Sequence, residues 1–319
     1  MSEKSKIILI LGPTASGKSD IAVKLALQLC SGQAKKLGIE GAEIISVDSR
    51  QVYKGLDIGT GKITKSEMRG ISHHLLDVAS PILRLRSGQE NRFTASDFKK
   101  QATKAIEKIL SKNKIPIICG GTGFYIDALL GNKNIPEVPL NIKLRKRLEK
   151  KSTAELFEIL RKLDKNRAKT IDKNNPRRLI RAIEICRALG SVPFHFAKAS
   201  RDKTYDVLKI GIRIPDEKLK ERIYKRLIAR IKQGMIKEAE NLHKKGLSWK
   251  RMIELGLEYK YLAWLCQKKI SKRELIGNLN KAIWQYAKRQ KTWFKKDKKI
   301  KWFAPEEIKD IEKSVKNFL

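Results

Sequence analysis

Residues Gly12, Pro13, Thr14, Ala15, Ser16, Gly17, Lys18 and Ser19 spell GxxxxGK[ST], a spacing with a specific physical use. It sets successive backbone N–H groups around an anion and aims a helix N-terminus at it. It also adds the Lys18 ammonium and offers the Ser19 hydroxyl to magnesium. Such a loop holds a diphosphate and is indifferent to what the diphosphate carries. ATP, GTP and a prenyl diphosphate look alike to Gly12, Gly17 and Lys18. A second stretch, SVDSRQVY at 46–53, places Asp48 beside Ser49, Arg50 and Gln51. A small-molecule kinase would use Asp48 as a metal-positioning carboxylate at a strand end. Its neighbours favour a different use, because a guanidinium and a bidentate amide suit reading a purine edge. A third stretch, GGTG at 120–123, contains Thr122 and no acid.

These three stretches must be brought together by the elements before them. KIILIL at 6–11, AEIISV at 42–47 and KIPIIC at 114–119 are apolar runs of strand length, each ending at one of the candidate stretches. SDIAVKLALQLC after the glycine loop and FYIDALLG after GGTG read as helices. Strands alternating with helices predict an α/β fold, a P-loop-type parallel sheet flanked by helices, with ligands gathering at the carboxyl ends of the strands. From about 133 the texture changes to a proline-bearing linker and then to charged helical sequence. In NNPRRLIRAIEICRALG, Asn175 can cap, Pro176 suits the first turn and Gly190 closes the helix. Its Leu179, Ile183 and Cys186 share one face, while Arg177, Arg178, Arg181 and Arg187 cluster positive charge. YDVLKIGIRI at 205–214 alternates like a strand returning to the sheet. The chain therefore divides into a core, 1–135 and 205–319, and a helical insertion, 136–204.

Lys and Arg number 71 against 34 Asp and Glu, a net charge of +37 over 319 residues. An excess of that size suits a polyanionic partner, nucleic acid first, and 41% hydrophobic residues suffice for a real core. Cys30, Cys119, Cys186 and Cys266 lie far apart with no ligand spacing, so free thiols in a reducing cytoplasm are expected, and no zinc. The apolar run after the N-terminus ends in a Gly-Pro turn within six residues, too short for a signal-peptide core or a membrane span.

Together GPTASGKS, DSRQVY with LDIGTGK, ISHHLLDV, FTASDF, CGGTGFY, NPRRLIRAIE and YAKRQKTW, in this order over residues 6–294, resemble the bacterial tRNA dimethylallyltransferase family. The resemblance implies transfer of a dimethylallyl group from dimethylallyl diphosphate to N6 of the adenosine just 3′ of the anticodon, with magnesium. It implies a prenyl diphosphate on the 12–19 loop, Ser19 toward the metal, and Asp48 and Thr122 as catalytic residues, Asp48 as general base on N6. It further implies contacts to the anticodon arm of tRNA from Asp48, Ser49, Arg50, Gln51, Thr122 and the segment Arg177, Arg178, Leu179, Ile180, Arg181. The expected molecule is a cytoplasmic monomer without membrane attachment. The chemistry is consistent with the residues. An aromatic amine is a poor nucleophile that gains from a carboxylate taking its proton. Diphosphate leaves when its charge is held by loop amides, Lys18 and magnesium. The target base must also leave its stack. Three departures stand out. Asp216 occupies a place near Pro215 where the family has an arginine, which leaves Arg213 as a possible replacement. ELGLEYKYL at 254–262 varies the family's glycine-tyrosine-lysine segment, and the eukaryotic relatives' zinc finger is absent.

Other features have plainer readings. His73 and His74 point to opposite faces if in a strand, so they cannot readily share one metal ion. Phe93 and Phe98 around Ser96 and Asp97 look like a staple and cap opening the next helix. Trp284, Tyr286, Trp293 and Trp302 among basic residues suit helix packing at least as well as stacking on RNA. A P-loop nucleotide-dependent enzyme, either a small-molecule kinase or an RNA-stimulated ATPase, is the alternative function. The basic helices lack the large apolar face of a membrane-surface protein.

Overall fold

A computed structural model describes residues 4–31, 38–83, 85–86, 89–90, 92–131, 136–190 and 205–319. The remainder of the linker and of the 136–204 insertion lies outside the described residues. Six strands form one sheet: β1 (Ser5–Leu11), β2 (Ala42–Val47), β3 (His73–His74), β4 (Ile115–Gly120), β5 (Tyr205–Ile212) and β6 (Lys301–Phe303). Their spatial order is β3-β2-β4-β1-β5-β6, and every neighbouring pair is parallel. Strands β1, β2 and β4 are buried on both faces, as continuous apolar runs in a helix-covered parallel sheet must be. Each fully buried Ile or Leu there contributes about 1.5–3 kcal/mol. A two-stranded antiparallel ladder, Leu85–Arg86 with Gln89–Glu90, forms a second sheet.

Register decides what meets at the sheet's carboxyl edge. Leu11 and Val47 both pair with Gly120, so the glycine loop, Asp48 and Thr122 emerge side by side. Helix α1 (Lys18–Leu29) starts directly behind the loop, with Gly17 as its N-cap at φ 88. Only glycine adopts that left-handed conformation without strain. Helices α2 (Ala95–Leu110) and α3 (Gly123–Leu129) flank the sheet connections, and Phe98 of α2 stacks on Tyr125 of α3 at 4.3 Å.

The described residues fall into two compact units. One is drawn from Met1–Ile82, Asp97–Leu129 and Lys203–Leu319, the other from Leu83–Ser96 and Leu130–Asp202. Among the described residues, 83, 85–86, 89–90 and 92–96 fall in the second unit, whereas the sequence reading counts them with the core. The second unit packs short helices, Ile142–Leu148, Thr153–Leu163 and Lys165–Thr170, with helix α4 (Pro176–Leu189) around Leu144, Leu156, Leu160 and Ile183. As the sequence indicates, Asn175 caps α4 through the N–H of Arg178, Pro176 occupies the first position and Gly190 ends it. In the sheet unit the chain after β5 forms α5 (Asp216–Lys232) and later α6 (Lys272–Phe294), opened by a Ser271–Glu274 capping box.

Candidate active site

A cavity of about 680 Å³ opens at the carboxyl edge of the sheet. From the glycine loop, Thr14, Ala15, Gly17, Lys18 and Ser19 line it, whereas Gly12, Pro13 and Ser16 are buried beneath. Among the described residues, Ser16 Oγ is buried without a hydrogen-bond partner. Ala15 holds φ 62, a left-handed backbone that costs a non-glycine residue about 1–3 kcal/mol. Gln290 of α6 keeps the loop in place: its Oε1 accepts the Thr14 N–H at 2.8 Å and its Nε2 donates to the Gly121 carbonyl at 2.9 Å. One side chain thus ties the loop to the end of β4. Lys18 Nζ donates to the Pro13 carbonyl at 3.2 Å. Burial pulls the Lys18 ammonium below the usual lysine value; Cys119 and Asp48 oppose that shift and Arg226 adds to it. The Cys119 thiol, buried beneath, is itself pushed up to about 11.

Asp48 lines the same cavity from the end of β2. Its Oδ1 accepts backbone N–H groups of Arg50 at 2.7 Å and Gln51 at 3.2 Å, which fixes the carboxylate in one orientation. Thr122 braces this turn: its N–H reaches the Val47 carbonyl and its Oγ1 accepts the Ser49 N–H at 3.2 Å. Tyr286 of α6 bonds the Thr122 side chain, and burial raises the phenol. Gln51 is held at both ends, by Ser46 Oγ at 3.1 Å and the Gly61 carbonyl at 3.3 Å. Arg50 donates to the Leu255 and Ser49 carbonyls. Of the stretch 48–51 and Thr122, only Asp48 and Gln51 reach the cavity wall. Ser49, Arg50 and Thr122 stand behind them.

The opposite wall comes from residues that sequence reasoning missed. Arg226 and Arg230 of α5 line the cavity with Ala229, and Tyr286 and Gln290 join from α6. Arg222, Arg226 and Arg230 recur every four residues, hence on one helix face, and that spacing was a readable signal. Burial first, and then the charge of Arg230, push the Arg226 guanidinium down to about 10. Arg213, the candidate replacement for the family's arginine, is absent from the wall; its backbone pairs with Phe303. Asp216 pairs with Lys291. The loop 56–62 completes the enclosure, fastened by Glu238, whose carboxylate accepts the N–H groups of Asp57, Ile58 and Gly59 and the Tyr259 hydroxyl at 2.7 Å.

A model described as IPP transferase matches residues 51–297. The chain belongs to the IPP transferase family. It is 42% identical over 302 residues to tRNA dimethylallyltransferase 2 of Treponema denticola, covering 94% of each chain. It is 36% identical to a tRNA dimethylallyltransferase of Anoxybacillus flavithermus, over 98% of this chain and 95% of that one. Among solved structures, the full-length tRNA isopentenylpyrophosphate transferase of Bacillus halodurans matches with TM-score 0.69 at 31% identity, over 99% and 97% of the two chains. A eukaryotic dimethylallyltransferase acting on tRNA matches with TM-score 0.73 at 27% identity, over 91% of this chain and 70% of that one. The chain is a prenyl-transferring enzyme of this family, so the kinase and ATPase alternatives fall away.

Three of the residues that the resemblance set against tRNA require correction. Leu179 is fully buried and Ile180 is 7% exposed, both in the core of the second unit, so their side chains cannot serve RNA. Arg181 is turned inward as well, onto Glu184 and the Val138 carbonyl. Burial would raise the Glu184 carboxyl, but Arg145, Arg181 and the Asn141 N–H outweigh it and hold the group low. Arg177 and Arg178 remain exposed. The two histidines behave as the strand geometry requires: His73 Nδ1 meets the Ile71 carbonyl, while His74 Nε2 meets Glu43 at 2.7 Å. Among the described residues no group of three His, Cys, Asp or Glu side chains could hold a metal. Most of the aromatic run serves packing or the site, with Trp293 against Gly123, Trp302 against Gly211 and Tyr286 on the cavity.

Proposed function

We propose that this chain transfers a dimethylallyl group from dimethylallyl diphosphate to N6 of the adenosine immediately 3′ of the anticodon in tRNA, giving N6-isopentenyladenosine and diphosphate. The observation that carries this reading is that the glycine loop and Asp48 open into one cavity. A leaving diphosphate on Lys18 and a base on Asp48 then face the same reacting carbon. N6 attacks the allylic carbon, the bond from that carbon to the bridging oxygen breaks with its electron pair passing to diphosphate, and the N6 proton passes to Asp48. Loop amides, Lys18 and Arg226 hold the departing charge. Thr122 acts by bracing Asp48 through Ser49, a positioning role.

The donor set suits magnesium. Ser19 and Asp48 offer hard oxygens on the cavity wall, and magnesium binds through one or two protein oxygens while keeping waters and substrate phosphates. Ser19 would hold it, and the ion would supply charge neutralisation at the diphosphate. Arg177 and Arg178 are the surface charges assigned to the anticodon arm, and the enzyme acts as a cytoplasmic monomer. The test is mass spectrometry of tRNA nucleosides from cells with and without the gene. N6-isopentenyladenosine should vanish on deletion and return with the wild-type gene; its persistence at the same level would refute the reading.

A further inference from the structure

Arg230 is 8% exposed and lines the cavity, yet its Nη2 has no hydrogen-bond partner among the described residues. Its Nη1 reaches the Gly59 carbonyl at 3.4 Å and Glu258 Oε1 at 3.6 Å, the first at the edge of hydrogen-bond range and the second beyond it. Arg226 is its immediate neighbour: a Cβ built on Gly61 would stand 1.5 Å from Arg230 Nη2 and 2.5 Å from Arg226 Nη2. Gly61 itself holds φ 59, a left-handed conformation that favours glycine. Two guanidinium groups therefore converge on one point of the wall, and no carboxylate lies closer to Arg230 than Glu258 at 3.6 Å among the described residues. Of the other acids close by, Glu238 is occupied by the 57–59 backbone and Tyr259, Glu67 by its capping box with Thr64, and Asp48 holds the Arg50 and Gln51 N–H groups through Oδ1 while its charge acts on both arginines across the cavity. Burying two like charges with an orphaned donor is costly unless an anion completes the site.

Resting on the diphosphate reading above, we propose that Arg230 is a further diphosphate ligand, forming with Arg226 a forked clamp on the phosphate farther from the glycine loop. The placement follows from helix α5. Arg222 Nη1 lies 3.9 Å from where a Gly17 Cβ would be, so the arginine face begins at the loop. Each successive arginine advances four residues, about 6 Å along the helix axis, so Arg226 and Arg230 stand beyond Arg222 on the side away from the loop, and it is their long side chains that bring the two guanidinium groups together. A hydrocarbon tail could not satisfy Nη2. A phosphate oxygen accepts from two guanidinium groups in the geometry they already share.

The test is calorimetric titration of inorganic diphosphate with magnesium into the full chain. Wild type should bind one diphosphate, and Lys18→Ala should nearly abolish binding. Arg230→Met should weaken it at least about tenfold, while the unliganded variant melts no lower than wild type, because a buried like-charge repulsion has been removed. Arg230→Lys keeps the charge and should fall between wild type and the methionine variant, since an ammonium lacks the fork. Affinity of Arg230→Met within twofold of wild type would overturn the proposal, as would Arg230→Lys binding like wild type or a wild-type stoichiometry of two. A loss of tRNA affinity with unchanged diphosphate affinity would assign the clamp to an RNA phosphate and equally overturn it. If wild type binds no diphosphate, or Lys18→Ala binds like wild type, the underlying diphosphate reading fails and this inference falls with it.

Discussion

At Asp48, Oδ1 is committed to the backbone of Arg50 and Gln51, and among the described residues Oδ2 carries no hydrogen bond. That division suits a base: the carboxylate is aimed by one oxygen and reacts through the other. Asp48→Asn preserves size and can keep the oxygen that accepts the two N–H groups, but it loses the basicity. Single-turnover prenyl transfer should slow by at least about a hundredfold, within the usual range of about 10² to 10⁴ for removing a general base, with tRNA affinity changed less than about tenfold. A variant that recovers at high magnesium would assign Asp48 to the metal instead. The glycine loop and Asp48 were legible in the sequence because each is a local pattern with a chemical meaning. Arg226, Arg230, Gln290 and Tyr286 were not, because they reach the cavity from helices far along the chain, 276 residues separating Gln290 from Thr14, and only the packing of α5 and α6 reveals them. Leu179 and Ile180 misled for the opposite reason: a motif can be contiguous while its side chains face a core.

Elements of useful length were readable, with β1, β2, β4 and β5 found within two residues at their ends. Strands β3 and β6, of two and three residues, are too short to show alternation, and they form only because a longer parallel neighbour offers its edge. The start of β2 carries a separate stability device. Glu43 is 3% exposed and accepts from His74, Lys112 and Lys114 at 2.7–3.1 Å. Burial alone would raise its carboxyl, but these three partners prevail and draw it down to about 2 from 4.5. A depressed carboxyl stabilises the fold above its unfolded pKa and loses that contribution as pH falls through the folded value. Stability should therefore decline as pH drops from 4.5 toward 2, by an amount on the order of 2 kcal/mol at this site. Glu43→Gln should lower stability at neutral pH and flatten that part of the profile, as followed by denaturant melts at several pH values. An unchanged profile would show that the three hydrogen-bond partners contribute nothing there.

For the molecule as a whole, the charge of +37 has to be explained by a partner or by solvent. If about six RNA phosphates are neutralised, log affinity for tRNA should fall against log salt with a slope of roughly −4 to −6. Arg177→Ala with Arg178→Ala should flatten it by one or two, whereas a slope near zero would leave the lysines as a solvated surface. Family membership and the sheet are settled by the match over residues 51–297 and the parallel strand order. What the cavity does with its two ends is the central claim, and one reconstitution tests it most directly. Purified protein, unmodified tRNA, magnesium and dimethylallyl diphosphate, with no ATP present, should release one diphosphate for each prenylated adenosine. Absence of the modified nucleoside, or its appearance only when ATP is added, would contradict the account.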